Sequence, residues 1–497
     1  MFNKLRNIVI RFVGSKKDYP VVSAIACGLY PLIYNYNKNF ALINSWEHLF
    51  FNMLLFLFIP VILFKSGLYI VNRYGIFIKF IKYFVPVLNF VCAAFLMVIA
   101  AYGFKIKILL LAAFLGLILG VLLRKYIKII IVYQFLLAAI VTIFLINYLV
   151  HHAINPYKWM EQPDNIENVV FKKTPNIYFI QPDGYANFSE LNKSCYKFDN
   201  SKFNNYLQKS KFKIYPNFRS NYYSTLSSNS SLFAMKHHYH NFPTSEVKEL
   251  YNARDIIVGN NPVIKILKEN DYRTHLLLNK SYLLINRPKI SYDFSNINNN
   301  ELSFFSNGFN VSRDIDIEFK SIFSKSKKSN NFYFLEQLSP SHITNIKSPG
   351  NIAEIERTKY LKRLEETNLW LKGIIDFILI NDKNSLIIIA ADHGGFVGMN
   401  STYESRDLQS DRDIIYSIFT SQLAIKWPDT APDYDDKIKT SVNLFRVLFS
   451  YLSQDESYLK HLEDDKSFIQ IERGAPFGVY EYINEKGDIV FNQKELP

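Results

Sequence analysis

Five apolar stretches in the first 150 residues constrain this chain more than any other feature. A helix needs roughly 20 apolar residues to cross the hydrocarbon of a bilayer. Stretches of that kind run at 19–36, 48–71, 83–102, 108–123 and 129–150. The first contains Pro20 and Pro31, and the fourth is short. The expected start of the chain is therefore a basic segment, 1–17, followed by a multi-pass α-helical membrane domain over 18–150 with about five spans. The first stretch carries no small-residue cleavage site, so we expect it to be retained.

Charge orients these spans. Residues 1–150 hold fifteen Lys/Arg and two acids, Asp18 and Glu47, and so account for the whole formal net charge of +13. The remaining residues are balanced, which removes the global basicity as a sign of nucleic-acid binding; no nucleic-acid partner is expected. Lys4, Arg6, Arg11, Lys16 and Lys17 precede the first span, and Lys65, Arg73, Lys79 and Lys82 flank the junction of the second and third. Arg124, Lys125 and Lys128 separate the fourth from the fifth, while the opposite loops hold only Lys38, Lys105 and Lys107. The positive-inside rule then places the N-terminus in the cytoplasm, and an odd number of spans places the rest outside it. The basic, apolar segment 65–82 reads equally as an interfacial helix or as a loop with frayed helix ends.

Beyond the membrane the pattern changes. Residues 151–174 are polar and read as a juxtamembrane linker. Strand-like runs then alternate with helical ones, which argues for a mixed, mostly parallel sheet flanked by helices. The run 176–182 ends in Asp183-Gly184, and the continuous apolar run 385–391 ends in Asp392-His393-Gly394-Gly395. Between them, 352–380 is helical, with Leu361, Leu364, Leu371, Ile374, Ile375 and Ile378 on one apolar stripe. The run 414–424 is a further strand candidate, 440–452 an amphipathic helix, and 290–306 an Asn/Ser-rich surface loop. Residues 478–491, with Asn484-Glu485-Lys486-Gly487 at their centre, read as a small C-terminal β hairpin within an extension, 471–497. Cys27, Cys92 and Cys195 are the only cysteines, so the outer part has no disulfide of its own.

Ligands in open α/β sheets bind at the carboxyl ends of strands. Two strand ends bearing acids, one followed by His393, suit a borderline divalent cation, Zn²⁺ or Mn²⁺. The hydroxyl-rich stretch Ser220-Asn221-Tyr222-Tyr223-Ser224-Thr225-Leu226-Ser227-Ser228 reads as a loop turning into a helix. A hydroxyl at a helix start gains from the helix dipole on ionising, and a metal activates it further. Thr225 is the candidate nucleophile, with Ser224, Ser227 and Ser228 as alternatives. Lys236-His237-His238-Tyr239-His240 could hold a second metal or a polyanionic substrate, or could equally be solvated or dipole-complementing residues at a helix end.

On these residues the outer part resembles the alkaline phosphatase/sulfatase superfamily. It is most similar to the sulfatase-like membrane transferases, which include lipoteichoic acid synthases and phosphoethanolamine transferases, and within them to sulfatase-like proteins of surface-polysaccharide gene clusters. The matching pieces are 176–185, 219–235, 360–379, 387–394 and 441–449, in the family's order. The resemblance implies an alkaline-phosphatase-like catalytic domain over 175–470. It implies one divalent metal held by Asp183, Thr225, Asp392 and His393, with Thr225 as nucleophile. His342, in Pro340-Ser341-His342-Ile343, stands one position from a Pro-His-Pro-like element and is an implied substrate contact; Arg219 is a second. Tyr223 replaces a proline common before the nucleophile. Cys195 lies outside any motif for formylglycine formation, so sulfate-ester hydrolysis by that route is not expected.

The implied activity is transfer of a phospho-group, phosphoglycerol or phosphoethanolamine. The donor would be a phospholipid of the bilayer and the acceptor a surface glycan or glycolipid. The location is the bacterial cytoplasmic membrane, with the catalytic domain outside it. A hydrolase using the same intermediate, or a degenerate scaffold in polysaccharide assembly, is the alternative.

Overall fold

The computed structural model describes residues 2–74, 78–154, 157–193, 195–239, 250, 252–326 and 330–495. The chain forms two compact units, Met1–Pro156 with Ser303–Ser306, and Tyr157–Leu302 with Asn307–Pro497.

The first unit is helical. Trp46–Tyr74, Ile81–Tyr102 and Arg124–Ile146 are long and apolar enough to cross a membrane, and Ile106–Leu122 is apolar but shorter. Pro20–Ile43 is a 24-residue helix with Pro31 inside it. Each apolar stretch of the sequence thus becomes one helix. Gly116 and Gly120, four apart on Ile106–Leu122, let that helix approach Ile81–Tyr102 closely. A Cβ on Gly120 would lie 2.4 Å from Val87 Cα, and one on Gly116 2.8 Å from Phe90 O. This is the small-residue contact by which helices pack where burial from water supplies no drive. Of the basic segment 65–82, residues up to Tyr74 continue the helix Ile59–Tyr74 and 78–80 form a 3₁₀ turn. The described residues of that segment are thus the end of one helix, a 3₁₀ turn and the start of the next, Ile81–Tyr102; 75–77 lie outside them.

The second unit is built on a seven-stranded sheet. Its strands are β1 (Ile177–Pro182), β2 (Lys213–Ile214), β3 (Arg273–Leu278), β4 (Phe294–Ser295), β5 (Asn331–Gln337), β6 (Leu386–Ala390) and β7 (Leu423–Lys426), in spatial order β2-β7-β6-β1-β5-β3-β4. The pairs β6–β1, β1–β5, β5–β3 and β3–β4 are parallel, and β7 runs antiparallel to β6 and β2. Alternate residues feed two cores. Phe179, Phe332, Phe334 and Ile388 face one, and Tyr178, Ile180, Tyr333, Ile387 and Ile389 the other. Covering on both faces is why these strands read as continuous apolar runs. The helix Ala353–Asn381 buries Leu364, Leu371, Ile374, Ile375 and Ile378 of the expected stripe against the second core; Leu361 is only partly buried there, and Tyr360 beside it is fully buried.

Four readings change. The run 414–424 is not one strand: Arg412–Phe419 is a helix, and only Leu423–Lys426 pairs in the sheet. Asp411 caps that helix through its side chain, a start signal that β-branched isoleucines obscured. The helix Leu444–Ser453 has the amphipathic pattern expected, but its polar side is not exposed: every residue of it is buried. Its Arg446, 1% exposed, is held by Asp164 at 2.7 Å and by Gln162 Oε1 at 2.6 Å. For the same reason 157–174 is no free linker, since Ile166, Val169 and Phe171 enter the first core. The loop 290–306 supplies the edge strand β4, and Asn296 brackets β3 through bonds to Leu278. At the C-terminus the hairpin forms as β9 (Gly478–Ile483) and β10 (Ile489–Gln493), joined by β8 (Ser467–Ile471) into a three-stranded antiparallel sheet. Ile469, Ile471, Tyr480, Tyr482 and Ile483 belong to the second core, so these strands are part of the main unit.

Candidate active site

Strand register brings the two acids together. β1 and β6 are parallel neighbours with Ile180 opposite Ile389, and Asp183 and Asp392 each lie three residues further on. Both leave the sheet at the same level, on the same edge. Gly184 turns the chain just after Asp183 with φ of 67°. Its N–H donates to Asp392 Oδ1 at 3.0 Å, which ties the two strand ends to each other. On the other side, Ser341 N–H donates to Asp183 O at 2.8 Å and anchors the loop that carries His342.

The nucleophile candidate arrives on the helix Thr225–Ala234. Ser224 is its N-cap, accepting from Ser227 N–H, and Thr225 is its first residue. Every residue from Leu226 to Ala234 is buried, although five of the nine are Ser or Asn. Their polar groups are satisfied internally. Ser228 Oγ donates to Tyr222 O, Ser230 Oγ to Leu226 O, and Asn229 exchanges two amide bonds of 2.8 Å with Gln181 of β1. Ser227 Oγ is bound to Ser224. The hydroxyl run is thus a buried small-residue helix. Of its candidate nucleophiles, Thr225 alone has its hydroxyl hydrogen-bonded to Asp183 or His393 among the described residues.

Thr225 Oγ1 lies 3.1 Å from Asp183 Oδ1 and 3.3 Å from His393 Nε2. His393 Nε2 lies 3.5 Å from Asp183 Oδ1 and 3.4 Å from Asp392 Oδ2. Asp183, Asp392 and His393 form a buried set with ligand atoms all within 4.8 Å of one another. A tetrahedral site with bonds of about 2.0–2.1 Å has edges of about 3.3 Å. The observed separations of 3.1–3.5 Å therefore fit a small divalent cation among these four groups. His393 Nδ1–H on Gly394 O, at 2.8 Å, leaves Nε2 directed at the acids, as a ligating imidazole requires. Asp392 Oδ2 is buried with no hydrogen-bond partner, an orphaned acceptor of the kind a cation satisfies.

The electrostatics point the same way. Burial, with Asp183 adding to it, pushes the Asp392 carboxyl up to about 6. Burial alone lowers the His393 imidazole, but Asp392 and Asp183 outweigh it and hold His393 above its ordinary value. Two carboxylates crowded out of water call for positive charge between them. A third acid lies close by that sequence reasoning missed. Glu336 of β5 is fully buried, neither of its carboxylate oxygens has a hydrogen-bond partner, and burial with the charges of Asp183 and Asp392 raises it well above the usual carboxylate range. A lone Glu near the end of the β-prone run Asn331–Gln337 was the available signal.

A cavity of about 220 Å³ opens over Thr225 and His393 and is also lined by His342, Tyr223, Tyr403 and Arg406. His342 thus stands at the site, its ring 6.0 Å from that of His393, with Nδ1 bonded to Ile343 O. Burial lowers its pKa below the ordinary imidazole value. Arg406 ends a short 3₁₀ helix, Thr402–Arg406, that carries no motif, and could not be found from sequence. Arg219 is not brought to this cavity. Its guanidinium donates to the carbonyls of Asp465 and Asn484, and it lines a different one. His237 and His238 are structural: His237 Nε2 bonds Asp464 O, His238 Nε2 bonds Ser227 O, and Tyr222 stacks on His238 at 4.0 Å. They brace the loop and the first turn of the nucleophile helix. His240 lies outside the described residues.

No family pattern and no curated relative matches the chain. Among solved structures it is similar to the C-terminal periplasmic domain of EptC from Escherichia coli, at 12% identity over 63% of this chain and 93% of that one, with a TM-score of 0.41. It is similar to the lipoteichoic acid synthase LtaP from Listeria monocytogenes, at 14% identity over 67% and 91%, with a TM-score of 0.41. It is also similar to the integral membrane lipooligosaccharide phosphoethanolamine transferase A (EptA) from Neisseria meningitidis, at 13% identity over 87% and 95%, with a TM-score of 0.38.

Proposed function

We propose that this protein is a membrane-anchored, metal-dependent phospho-group transferase that works through a phospho-Thr225 intermediate. The observation that carries the reading is the position of Thr225 Oγ1, at a helix start and within 3.1–3.3 Å of Asp183 and His393. Asp183, Thr225, Asp392 and His393 would hold the cation, Zn²⁺ or Mn²⁺. When bound it supplies Lewis-acid stabilisation of charge on the phosphoryl oxygens and on the threonine alkoxide.

The residues divide the remaining work. Thr225 Oγ1 attacks the phosphorus of a phospholipid head group while its proton passes to Asp183 Oδ1. The phosphorus–oxygen bond to the diacylglycerol breaks and the departing oxygen takes that proton from Asp183, while His342, whose Nδ1–H is held on Ile343 O, presents Nε2 to the substrate as an acceptor. A hydroxyl of a surface glycan or glycolipid then attacks the same phosphorus, and its proton passes by way of Asp183 to Thr225 Oγ1 as that oxygen is displaced. The helix N-terminus at Thr225 favours negative charge there throughout. The cargo is phosphoglycerol or phosphoethanolamine. The apolar helices keep the enzyme in the bilayer that contains its donor. We place it in the bacterial cytoplasmic membrane with about five spans, the N-terminus inside and the catalytic unit outside.

The test uses the full-length protein in detergent with phosphatidylglycerol or phosphatidylethanolamine carrying a fluorescent acyl chain. Diacylglycerol release that rises with added glycan acceptor, and a head-group adduct on Thr225 by mass spectrometry, are expected. Thr225→Ala should reduce release by at least a thousandfold while keeping the fold. Release of free head group at the same rate with or without acceptor makes the protein a hydrolase. A Thr225→Ala variant as active as wild type removes the reading altogether.

A further inference from the structure

The second unit holds a second and larger cavity, of about 580 Å³, at the edge of the seven-stranded sheet. It lies among β2, the helix Arg412–Phe419 and the 484–487 turn, and shares no lining residue with the cavity over Thr225. We propose that it binds anionic groups of the glycan acceptor, a polyanionic saccharide, and so holds that polymer for reaction at Thr225. This rests on the transferase reading above.

Charge is the first argument. The lining cations are Lys213, Arg219, Arg412, Lys439 and Lys486, and the lining acids Asp436 and Glu485. Lys213 is paired with Asp435 at 2.6 Å, Arg412 with Glu190 through two bonds of 2.6 and 2.8 Å and with Asp413 at 3.1 Å, and Glu485 with Lys466 at 3.1 Å. Among the described residues, Arg219, Lys439 and Lys486 have no carboxylate partner, and Asp436 is the one unpaired acid. Three lining cations thus lack a carboxylate within ion-pairing distance, although the Asp465 carboxylate acts on Arg219 from further off and Arg412 is shared between two acids.

Arg219 is the second argument. It is 6% exposed and contacts only carbonyl oxygens through its Nη2, while its Nε is buried with no hydrogen-bond partner. Burial lowers its pKa, the mark of a cation short of compensation. A buried guanidinium whose counter-charge, the Asp465 carboxylate, makes no direct contact is costly to maintain unless an anion completes it. Cavity size and lining identify the ligand class. The volume lies in the usual range of small-molecule sites and far exceeds one phosphate. The aliphatic lining is limited to Ile214, Pro216 and Ile438, so an acyl chain has little to enter.

The third argument is continuity. Arg219 lines this cavity, and Tyr223, four residues on, lines the one over Thr225. Four extended residues span at most about 14 Å. A polymer held at Arg219 thus presents its neighbouring units within a short reach of the nucleophile.

The proposal is tested by titration calorimetry on full-length protein in zwitterionic detergent. The probes are a sulfated dextran oligosaccharide, a neutral dextran oligosaccharide and inorganic phosphate. We expect the sulfated probe to bind at least tenfold tighter than either of the others. The double substitution Lys439→Glu with Lys486→Glu, at exposed positions, should weaken it at least tenfold, as should Arg219→Met where that variant folds. Thr225→Ala should bind as wild type does, which separates this site from the catalytic reading. Equal affinity in wild type and the double variant overturns the proposal. So does inorganic phosphate binding as tightly as the oligosaccharide, or binding to anionic lipid vesicles, lost in the double variant, without binding of the oligosaccharide. Failure of acceptor-dependent transfer alongside intact, charge-dependent binding would refute the transferase reading and leave a saccharide-binding site.

Discussion

Gly184→Ala is the most informative single perturbation of this protein. Gly184 has φ of 67°, a conformation that costs an L-residue about 1–2 kcal/mol. Its Cβ position meets backbone, not a yielding side-chain tip: Ser341 O at 2.5 Å, Ser341 C at 2.7 Å and His342 N at 3.2 Å. Relief of those overlaps requires the Ser341–His342 peptide to move by roughly 1 Å, and forced repacking of this kind costs about 1–3 kcal/mol. The two contributions together amount to about 2–5 kcal/mol. For a unit of this size that corresponds to a melting temperature lower by roughly 4–10 °C. The functional cost is separate. The peptide that moves carries His342 into the cavity over Thr225, and Gly184 N–H itself holds Asp392 Oδ1. A misplacement of about 1 Å in such a constellation costs on the order of 100-fold in rate. The assay pairs a tryptophan-fluorescence melt with diacylglycerol release. Gly373→Ala is the control, because it lies in the helix Ala353–Asn381 with nothing within 4 Å of the point an added methyl would occupy, and alanine there should stabilise slightly. A Gly184→Ala protein that melts within about 1 °C of wild type and turns over within about threefold of it would refute the reasoning.

Three further outcomes are expected. Addition of Zn²⁺ or Mn²⁺ to chelator-treated protein at about a hundred times its dissociation constant should stabilise it by about 2.7 kcal/mol, a rise of roughly 5 °C, and Asp392→Asn should abolish that rise. His275 on β3 is buried against Tyr333 and its pKa is lowered, chiefly by burial, to about 4 from the ordinary 6.5. The unfolded chain therefore takes up a proton that the folded one refuses, so the contribution is present above pH 6.5 and is lost as pH falls towards 4. The full loss is about 3 kcal/mol, and denaturant midpoints of wild type and His275→Gln should converge as pH drops through that window. Asp164→Ala should destabilise by about 3–5 kcal/mol in a thermal melt, since it leaves the Arg446 cation buried without its counter-charge, whereas an exposed control, Asp433→Ala, should change little.

Much of this protein was legible in order along the chain. Apolar length marked the membrane helices, because hydrocarbon admits little else. Continuous apolar runs marked β1 and β6, because a strand covered on both faces has no polar side. The Asp-Gly and Asp-His-Gly-Gly ends of those strands named Asp183, Asp392 and His393, and the hydroxyl stretch named Thr225. The errors fell where local pattern and final environment part company. Leu444–Ser453 carries an arginine and several serines and so reads as amphipathic, yet Asp164 and Gln162 make that arginine a core residue. The run 414–424 is rich enough in isoleucine to read as a strand, yet Asp411 caps a helix over most of it.

What the sequence by itself determined was the set of candidate site residues and the stretches apolar enough to cross a membrane, since residue type and apolar length are local properties. What only the tertiary structure decided was which of those groups meet. The common register of β1 and β6 sets Asp183 beside Asp392, and packing of the helix Thr225–Ala234 against β1 aims one hydroxyl among four at them. Arg219 shows the converse. It stands six residues before Thr225, yet the chain turns its guanidinium away onto the carbonyls of Asp465 and Asn484, more than two hundred residues further along. Contacts of that range depend on how strands pair and layers pack, and no window of sequence contains them.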